Sequence, residues 1–475
     1  MKAAVYFLLS LMTSTVSAQA DSTMNRLSLK QAVEIAVTNN LEIRQAGLQK
    51  ESAEIMLQRA RAGRFPYLEG IANHGIQQGR SIDPFTNQFI NQKINYASYG
   101  VNTGVVLFNG LAIHHNIRAN MLGFKAAELE WQQAKDNLTM NVILAYLDVL
   151  TNNDLLEQST NQLGLIARQV ERLNILNEQG AILPSQLYDL KGQLAGDELA
   201  TVNNQNALDA ARLSLSQLLN LPYNATLQVD RLDIESFSMN YDLTPDQIYE
   251  TAIEALAVVK AAVLRNQSAS AAVKSVQGEL YPTLALTGNL TTNYSSVAFR
   301  DILLGVSDRE TSNYVTINGT KTSVFSPVSD YSAERIKYRE QLDNNLFTSI
   351  NLGLRIPLFN NLQTRTRLRL ARIEQKNSAY IEDTRRIQLK QNIEQAYFNM
   401  TAAQKRYATL IEQVDAFKES FRGAEERFNA GAINSVEYLI ARNNLDRANI
   451  NLIIARYDYV LRTKLLDFYQ GKPFF

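Results

Sequence analysis

The chain has 475 residues, 45% of them hydrophobic and 20% charged, with 21 Gly and 9 Pro; this is enough apolar material for a buried core and excludes extended disorder and collagen-like structure. Its 47 Lys and Arg balance 47 Asp and Glu, so no basic surplus exists to neutralise nucleic-acid phosphates, and nucleic acid is not an expected partner. Cys is absent and only three His are present; disulfides, thiolate metal sites and thiol nucleophiles are out, adjacent His114 and His115 would project about 100° apart on a helix, and no metal or cofactor is expected.

The N-terminus reads as a secretory signal peptide over residues 1–18. Lys2 precedes the apolar run Ala3 to Met12, and small residues follow up to Ala18, after which cleavage is expected. No later stretch of about eighteen apolar residues could cross a bilayer as a helix, so a membrane crossing would need strands closed into a barrel.

The mature chain repeats itself, with a first repeat over 19–242 and a second over 243–475. Leu27-Ser28-Leu29-Lys30-Gln31 through Phe65-Pro66 recurs 216 residues later as Leu243-Thr244-Pro245-Asp246-Gln247 through Tyr281-Pro282. Leu107-Phe108-Asn109-Gly110, Ala145-Tyr146 and Gly180-Ala181-Ile182 recur at a shift of 251 as Leu358-Phe359-Asn360-Asn361, Ala396-Tyr397 and Gly431-Ala432-Ile433. The second repeat therefore carries 35 extra residues between Pro282 and Leu358.

Each repeat reads helix, two strands, long helix, turn, helix. The first helix opens at Ser28 or at Thr244-Pro245, both N-terminal signatures, and is expected to run unbroken to about Ala62 or Gln277. The first hairpin strand is expected from Tyr67 to His74. The next alternates Tyr99, Val101, Thr103, Val105, Leu107 with Gly100, Asn102, Gly104; its counterpart alternates Ile350, Leu352, Leu354, Ile356, Leu358 with Ser349, Asn351, Gly353, Arg355. Leu284, Leu286 and Leu290 alternate with Thr283, Ala285, Thr287 and Asn289. One apolar and one polar face suits a transmembrane barrel strand, and equally a half-buried soluble sheet. The extra residues place a polar external loop at about 295–344.

The long helices follow the Asn-Gly and Asn-Asn turns and end at Gly180 and Gly431. A seven-residue apolar series, Val142, Val149, Leu156, Leu163, Val170, recurs as Ile393, Met400, Tyr407, Val414, Phe421, extended by Phe428, which marks a coiled-coil seam. About 66 residues at 1.5 Å each give helices of roughly 100 Å, matched by two shorter helices of roughly 35 residues end to end. Four strands per chain cannot close a barrel, so closure needs other subunits.

The signal peptide, the doubled helix–hairpin–helix–helix order, the Leu107-Phe108-Asn109-Gly110 and Pro357-Leu358-Phe359-Asn360 junctions and the paired Gly-Ala-Ile tips together resemble the TolC-type outer membrane efflux proteins, over essentially the whole mature chain. The resemblance implies a mainly α chain with a transmembrane β part: a homotrimer whose twelve strands form one barrel in outer membrane lipid and whose long antiparallel helices form an α-helical barrel across the periplasm. It implies an exit duct for a tripartite efflux or type I secretion system, docked through a periplasmic adaptor to an inner-membrane pump, and no enzyme. No Gly-rich phosphate loop, Gly-x-Ser-x-Gly elbow or His-Glu-x-x-His contradicts that. The alternatives are a periplasmic or surface coiled-coil protein without a channel and, less consistent with the few strands, the adaptor itself.

By the same resemblance the tips Gly180, Ala181, Ile182 and Gly431, Ala432, Ile433 are adaptor contacts, although Gly there is also an ordinary helix C-cap. Acidic rings of some members lie six and nine residues beyond the second tip glycine; here those positions hold Glu437 and Ile440, so one carboxylate ring is expected at the pore aperture. Ile433 and Gln186 stand where other members carry a polar latch, so that latch does not transfer.

Overall fold

A computed structural model of the chain describes residues 26–82, 87–231 and 243–472. The expected signal peptide and the end of the first repeat at residue 242 lie outside these residues. In chain order the elements are β1 (Arg26–Leu27), α1 (Leu29–Asn39), α2 (Leu41–Ala62), β2 (Tyr67–Gln77), β3 (Arg80–Ile82), β4 (Phe89–Asn91), β5 (Ile94–Phe108), α3 (Ala112–Glu178), α4 (Pro184–Leu218) and β6 (Gln228–Val229). The second repeat gives α5 (Pro245–Ala255), α6 (Ala257–Gly278), β7 (Thr283–Ser295), β8 (Phe299–Ile317), β9 (Thr320–Arg335), α7 (Tyr338–Asn344), β10 (Phe347–Arg355), α8 (Gln363–Asn429) and α9 (Ser435–Tyr469). α3 and α8 have 67 residues each, and α4 and α9 have 35.

Two compact units cut across the repeats. One holds the chain up to Glu51, Lys125–Val263 and the chain from Tyr380; the other holds Ser52–Phe124 and Leu264–Ala379.

In the first unit, α1 and α5 start with a full capping box: Ser28 and Thr244 accept from the N–H of Gln31 and Gln247, whose side chains return to the N-cap N–H. The expected unbroken first helix is interrupted in both repeats, at Asn40 and Leu256, which are extended and lie 216 residues apart. Asn40 restarts the helix by accepting from the N–H groups of Glu42 and Ile43, at 2.8 and 3.2 Å. Leu256 has no such oxygen and is held by burial in a cluster with Ile248, Val259, Ile393 and Met400. The seam behaves as its spacing predicts: Val142, Val149, Val170, Ile393 and Met400 are buried, the remaining members half-buried or, for Phe428, buried.

The unpredicted pair β1–β6 is parallel. Buried Tyr146 holds its ends through its hydroxyl, which lies 2.9 Å from the carbonyl oxygens of both Leu27 and Asp230; burial pushes its titration well up.

The second unit contains an antiparallel sheet in the order β10-β7-β5-β2. The register aligns the alternating residues across all four strands. One row runs Glu69, Asn102, Asn289, Ser349, and another runs Tyr67, Gly104, Thr287, Asn351. On the opposite face Val105, Leu286 and Leu352 align, as do Phe108, Leu284 and Leu354. β2 reaches Gln77 rather than His74, and β10 stops at Arg355, so Ile356 and Leu358 lie beyond the strand instead of continuing its apolar face. Pro357 lacks the N–H that would extend the ladder there.

The region expected as a loop at 295–344 is largely ordered as the β8–β9 hairpin and the short helix α7. Asn318 and Gly319, both at positive φ, join Ile317 to Thr320 as a two-residue turn. β3–β4 is a further small pair within the first hairpin.

Candidate functional site

Two places in the molecule carry functional geometry: the helix tips and the amphipathic sheet.

Both tips close with the same hydrogen bonds. Ala181 N–H donates to Leu176 O at 2.8 Å and Gly180 N–H to Asn177 O at 3.0 Å; Ala432 and Gly431 repeat this on Arg427 and Phe428 at 2.8 and 3.0 Å. This is the Schellman pattern, and Gly180 and Gly431 sit at φ +70° and +75°. A Cβ at either glycine would meet nothing within 4 Å, so the backbone conformation, not space, requires glycine there. The expected contact residues then divide. Gly180, Ala181, Gly431 and Ala432 are exposed, whereas Ile182 and Ile433 are half-buried and pack into one apolar cluster with Ile166, Val170, Leu173, Leu187, Leu190, Phe428 and Tyr438. Beside the tips Leu183, Tyr188, Val436 and Ile440 are exposed apolar side chains.

Glu437 lies exposed in the first turn of α9. Its N–H donates to Asn434 Oδ1 at 2.9 Å, and its carboxylate accepts from Asn434 Nδ2 at 3.3 Å. A negative charge in a first helical turn is favourable in its own right.

The two hairpins share more than an apolar cluster. Arg172 of α3 donates to the Asn429 carbonyl at 2.9 Å, placing a cation on the C-terminus of α8. Ser435 Oγ donates to Asp189 Oδ2 at 2.7 Å. The fully buried Arg442 of α9 pairs with Asp197 of α4, reaches Gln162 O of α3 at 3.2 Å, and lies 3.6 Å from Asp446. Burial raises the Asp446 carboxyl to about 6, Arg442 opposing that rise and Asp197 adding to it. Burial likewise pushes Tyr438 up to about 12. Sequence reasoning missed these groups, yet the signal was present: Arg442 continues the series Ser435, Tyr438, and Asp197 continues Leu187, Leu190, Leu194. A charge at a seam position demands an opposite charge on the facing helix.

The sheet exposes its apolar face. Ile350, Leu352 and Leu354 are 75%, 65% and 63% exposed in the single chain, far more than a soluble half-buried sheet tolerates. β2 and β10 are its open edges. Among the described residues no helix is long and apolar enough to cross a membrane, and no group of three His, Asp or Glu could hold a metal ion.

Comparison with known proteins agrees with this geometry. The sequence profile of the family described as outer membrane efflux protein matches residues 32–221 and 248–471. The outer membrane efflux protein BepC of Brucella suis biovar 1 (strain 1330) is 24% identical over 374 residues, covering 77% of this chain and 70% of that protein. Among solved structures, CusC superposes with a TM-score of 0.74 at 15% identity, over 94% of this chain and 92% of that chain. The outer membrane protein VceC of Vibrio cholerae gives 0.73 at 15% identity, over 94% and 97%. The expected TolC-like architecture of long helices with four sheet strands per chain is thus the observed fold.

Proposed function

The chain belongs to the outer membrane efflux protein family, and from that membership we propose that it is a trimeric exit duct, passively conducting substrates delivered by an inner-membrane pump through a periplasmic adaptor, in a tripartite efflux or type I secretion assembly. The observation that carries this reading is the four-stranded sheet with one exposed apolar face, one polar face and two open edges. In lipid an open edge leaves backbone groups unpaired at a cost of several kcal/mol each. Closure by further copies satisfies every edge, puts the leucines against lipid and turns the Asn, Thr and Ser rows toward a water-filled interior.

The edge helices support the same assembly. Leu41, Leu48 and Ile55 on α2, and Ile373, Tyr380 and Ile387 on α8, are exposed at seven-residue spacing. These are seam positions left exposed among the described residues of the single chain, suited to antiparallel pairing between neighbouring copies. The β8–β9 hairpin, at the strand ends away from the long helices, then becomes the external loop. The exposed Gly180, Ala181, Gly431 and Ala432, with Leu183, Tyr188, Val436 and Ile440 beside them, form the adaptor-facing surface, and Ile182 and Ile433 hold it from within. Three copies of Glu437 present a carboxylate ring at the aperture that favours cations.

Outer membrane fractions and planar bilayers test the proposal together. A heat-modifiable trimer that partitions into the outer membrane and gives discrete conductance steps is expected. A monodisperse soluble oligomer without conductance would instead assign the chain to the channel-free coiled-coil alternative.

A further inference from the structure

The chain is neutral, but its charge is unevenly placed. The helical segments of the second unit with the turns that follow them, residues 52–64, 112–124, 264–279 and 363–379, hold eleven Lys and Arg against three Glu. The densest run opens α8: Arg365, Arg367, Arg369 and Arg372, with no acid in the first turn. Arg365 lies in the first turn of α8, where a cation opposes the helix dipole.

The four arginines divide by direction. Arg367 pairs with Glu279 at 2.8 Å and lines one cavity with Thr283 and Arg355 of the sheet's polar face and with Leu358 and Phe359. At 100° per residue, Arg365, Arg369 and Arg372 lie roughly 140–160° around the helix from Arg367, away from that cavity. All three are exposed and without an ion pair among the described residues. In the first repeat Arg64 and His114 line a cavity with Phe108 and Leu111, and Phe108 stands in the apolar row with Leu284. Along the chain, exposed Phe65 lies between Arg64 and β2, and exposed Leu111 between β5 and His114. An apolar band, then a belt of exposed aromatic and aliphatic side chains, then unpaired arginines is the order in which a chain meets hydrocarbon, interface and headgroup.

We infer that Arg365, Arg369 and Arg372, with Arg64 of the first repeat, form a basic collar that binds the phosphate of anionic phospholipid headgroups in the leaflet next to the helices. Guanidinium forks match phosphate oxygens in geometry as well as charge. The inference rests on the proposed membrane orientation of the sheet, and it assigns the collar to lipid rather than to the conducted substrate.

The test places the purified trimer in nanodiscs of equimolar phosphatidylglycerol and phosphatidylcholine and reads the lipid retained on release by native mass spectrometry. Wild type should retain phosphatidylglycerol over phosphatidylcholine by at least about fivefold, the factor that one basic residue supplies near an anionic surface. The triple Arg365→Gln, Arg369→Gln, Arg372→Gln variant should bring that ratio close to one. The corresponding triple Lys variant should keep most of the preference, and Arg367→Gln should keep all of it. A wild-type ratio near one, an unchanged ratio in the triple Gln variant, an equal loss in Arg367→Gln, or complete displacement of the lipid by millimolar inorganic phosphate would each overturn the collar. The same spectra report the oligomer: a persisting trimer without lipid preference overturns the collar alone, whereas a monomer that fails to enter the nanodisc overturns the duct.

Discussion

The two strand-to-helix junctions share a backbone and differ in their neighbours. Gly110 and Leu111 in the first repeat, and Asn361 and Leu362 in the second, all have positive φ, from 52° to 64°. In the first repeat the turn is pressed against α6: a Cβ on Gly110 would lie 2.4 Å from Gly278 O, and a Cβ on Gly278 would lie 2.7 Å from Gly110 O. Ser275 Oγ donates to Ala112 O nearby at 2.9 Å. The second turn begins α8, the helix that follows the open-edge strand β10, and Asn361 is exposed. Glycine is demanded where two helices of one chain cross closely; Asn, which tolerates the left-handed region, suffices beside an open edge.

Substitution should expose that difference most strongly at the crossing. Gly110→Ala adds both left-handed strain and an overlap with backbone that cannot move aside, so a loss of about 3 kcal/mol or more is expected, seen as a collapse in trimer yield. Asn361→Ala should cost only about 1 kcal/mol and leave the yield intact. Comparable losses at both sites would show that the second junction is as crowded as the first.

A contrast between the ion pairs of the tip region and its apolar cluster follows from Asp446. Its folded-state carboxyl is raised to about 6, above its unfolded value, so the stabilisation is present in acid and is lost as pH rises through about 6. The amplitude is at most about 3 kcal/mol. Protection factors over residues 435–446, that is, exchange corrected for the intrinsic amide rate at each pH, should rise between pH 7.5 and pH 5, and Asp446→Asn should remove that rise.

The tips should behave alike. Gly180→Ala and Gly431→Ala meet no neighbour, so each should cost only the left-handed penalty of about 1–2 kcal/mol in the thermal midpoint of the helical part. Unequal costs would reveal a contact at one tip that the single chain lacks. The smallest effect is expected at Glu437, already engaged with Asn434. Glu437→Gln should reduce cation selectivity in low salt and leave it unaltered in high salt, where screening removes the ring's influence; equal reversal potentials for wild type and variant at both salts would contradict the ring.

How much was legible in the sequence depended on whether a feature had a local cause. Ser28, Thr244, Gly180 and Gly431 announce helix ends because caps are chosen by one residue's chemistry. The seam and the alternating strands were equally readable, since burial repeats with the period of the element. The break at Leu256 was not, because its cause is a cluster assembled from several helices. The Asn318-Gly319 turn is a hairpin signal in the sequence, but it lies within the 35 residues that have no counterpart in the first repeat to give them a period. Arg442 and Asp197 were visible as charges on apolar seams, although their pairing required the facing helices to be placed. The tips' division into exposed Ala181 and Ala432 and inward Ile182 and Ile433 likewise depends on tertiary packing.

The central claim is that the open edges of one chain are completed by other copies. α2 ends and α8 begins at the strand junctions, so in antiparallel pairing Ile55, seven residues before the end of α2, faces Leu370, seven residues into α8. The chain has no Cys, so an Ile55→Cys, Leu370→Cys double variant can cross-link only through the introduced pair. Oxidation in membranes followed by denaturing electrophoresis should give covalent dimers and trimers, with neither single variant doing so. Monomers alone in the oxidised double variant, with both thiols reactive toward a maleimide, would contradict closure through these edges.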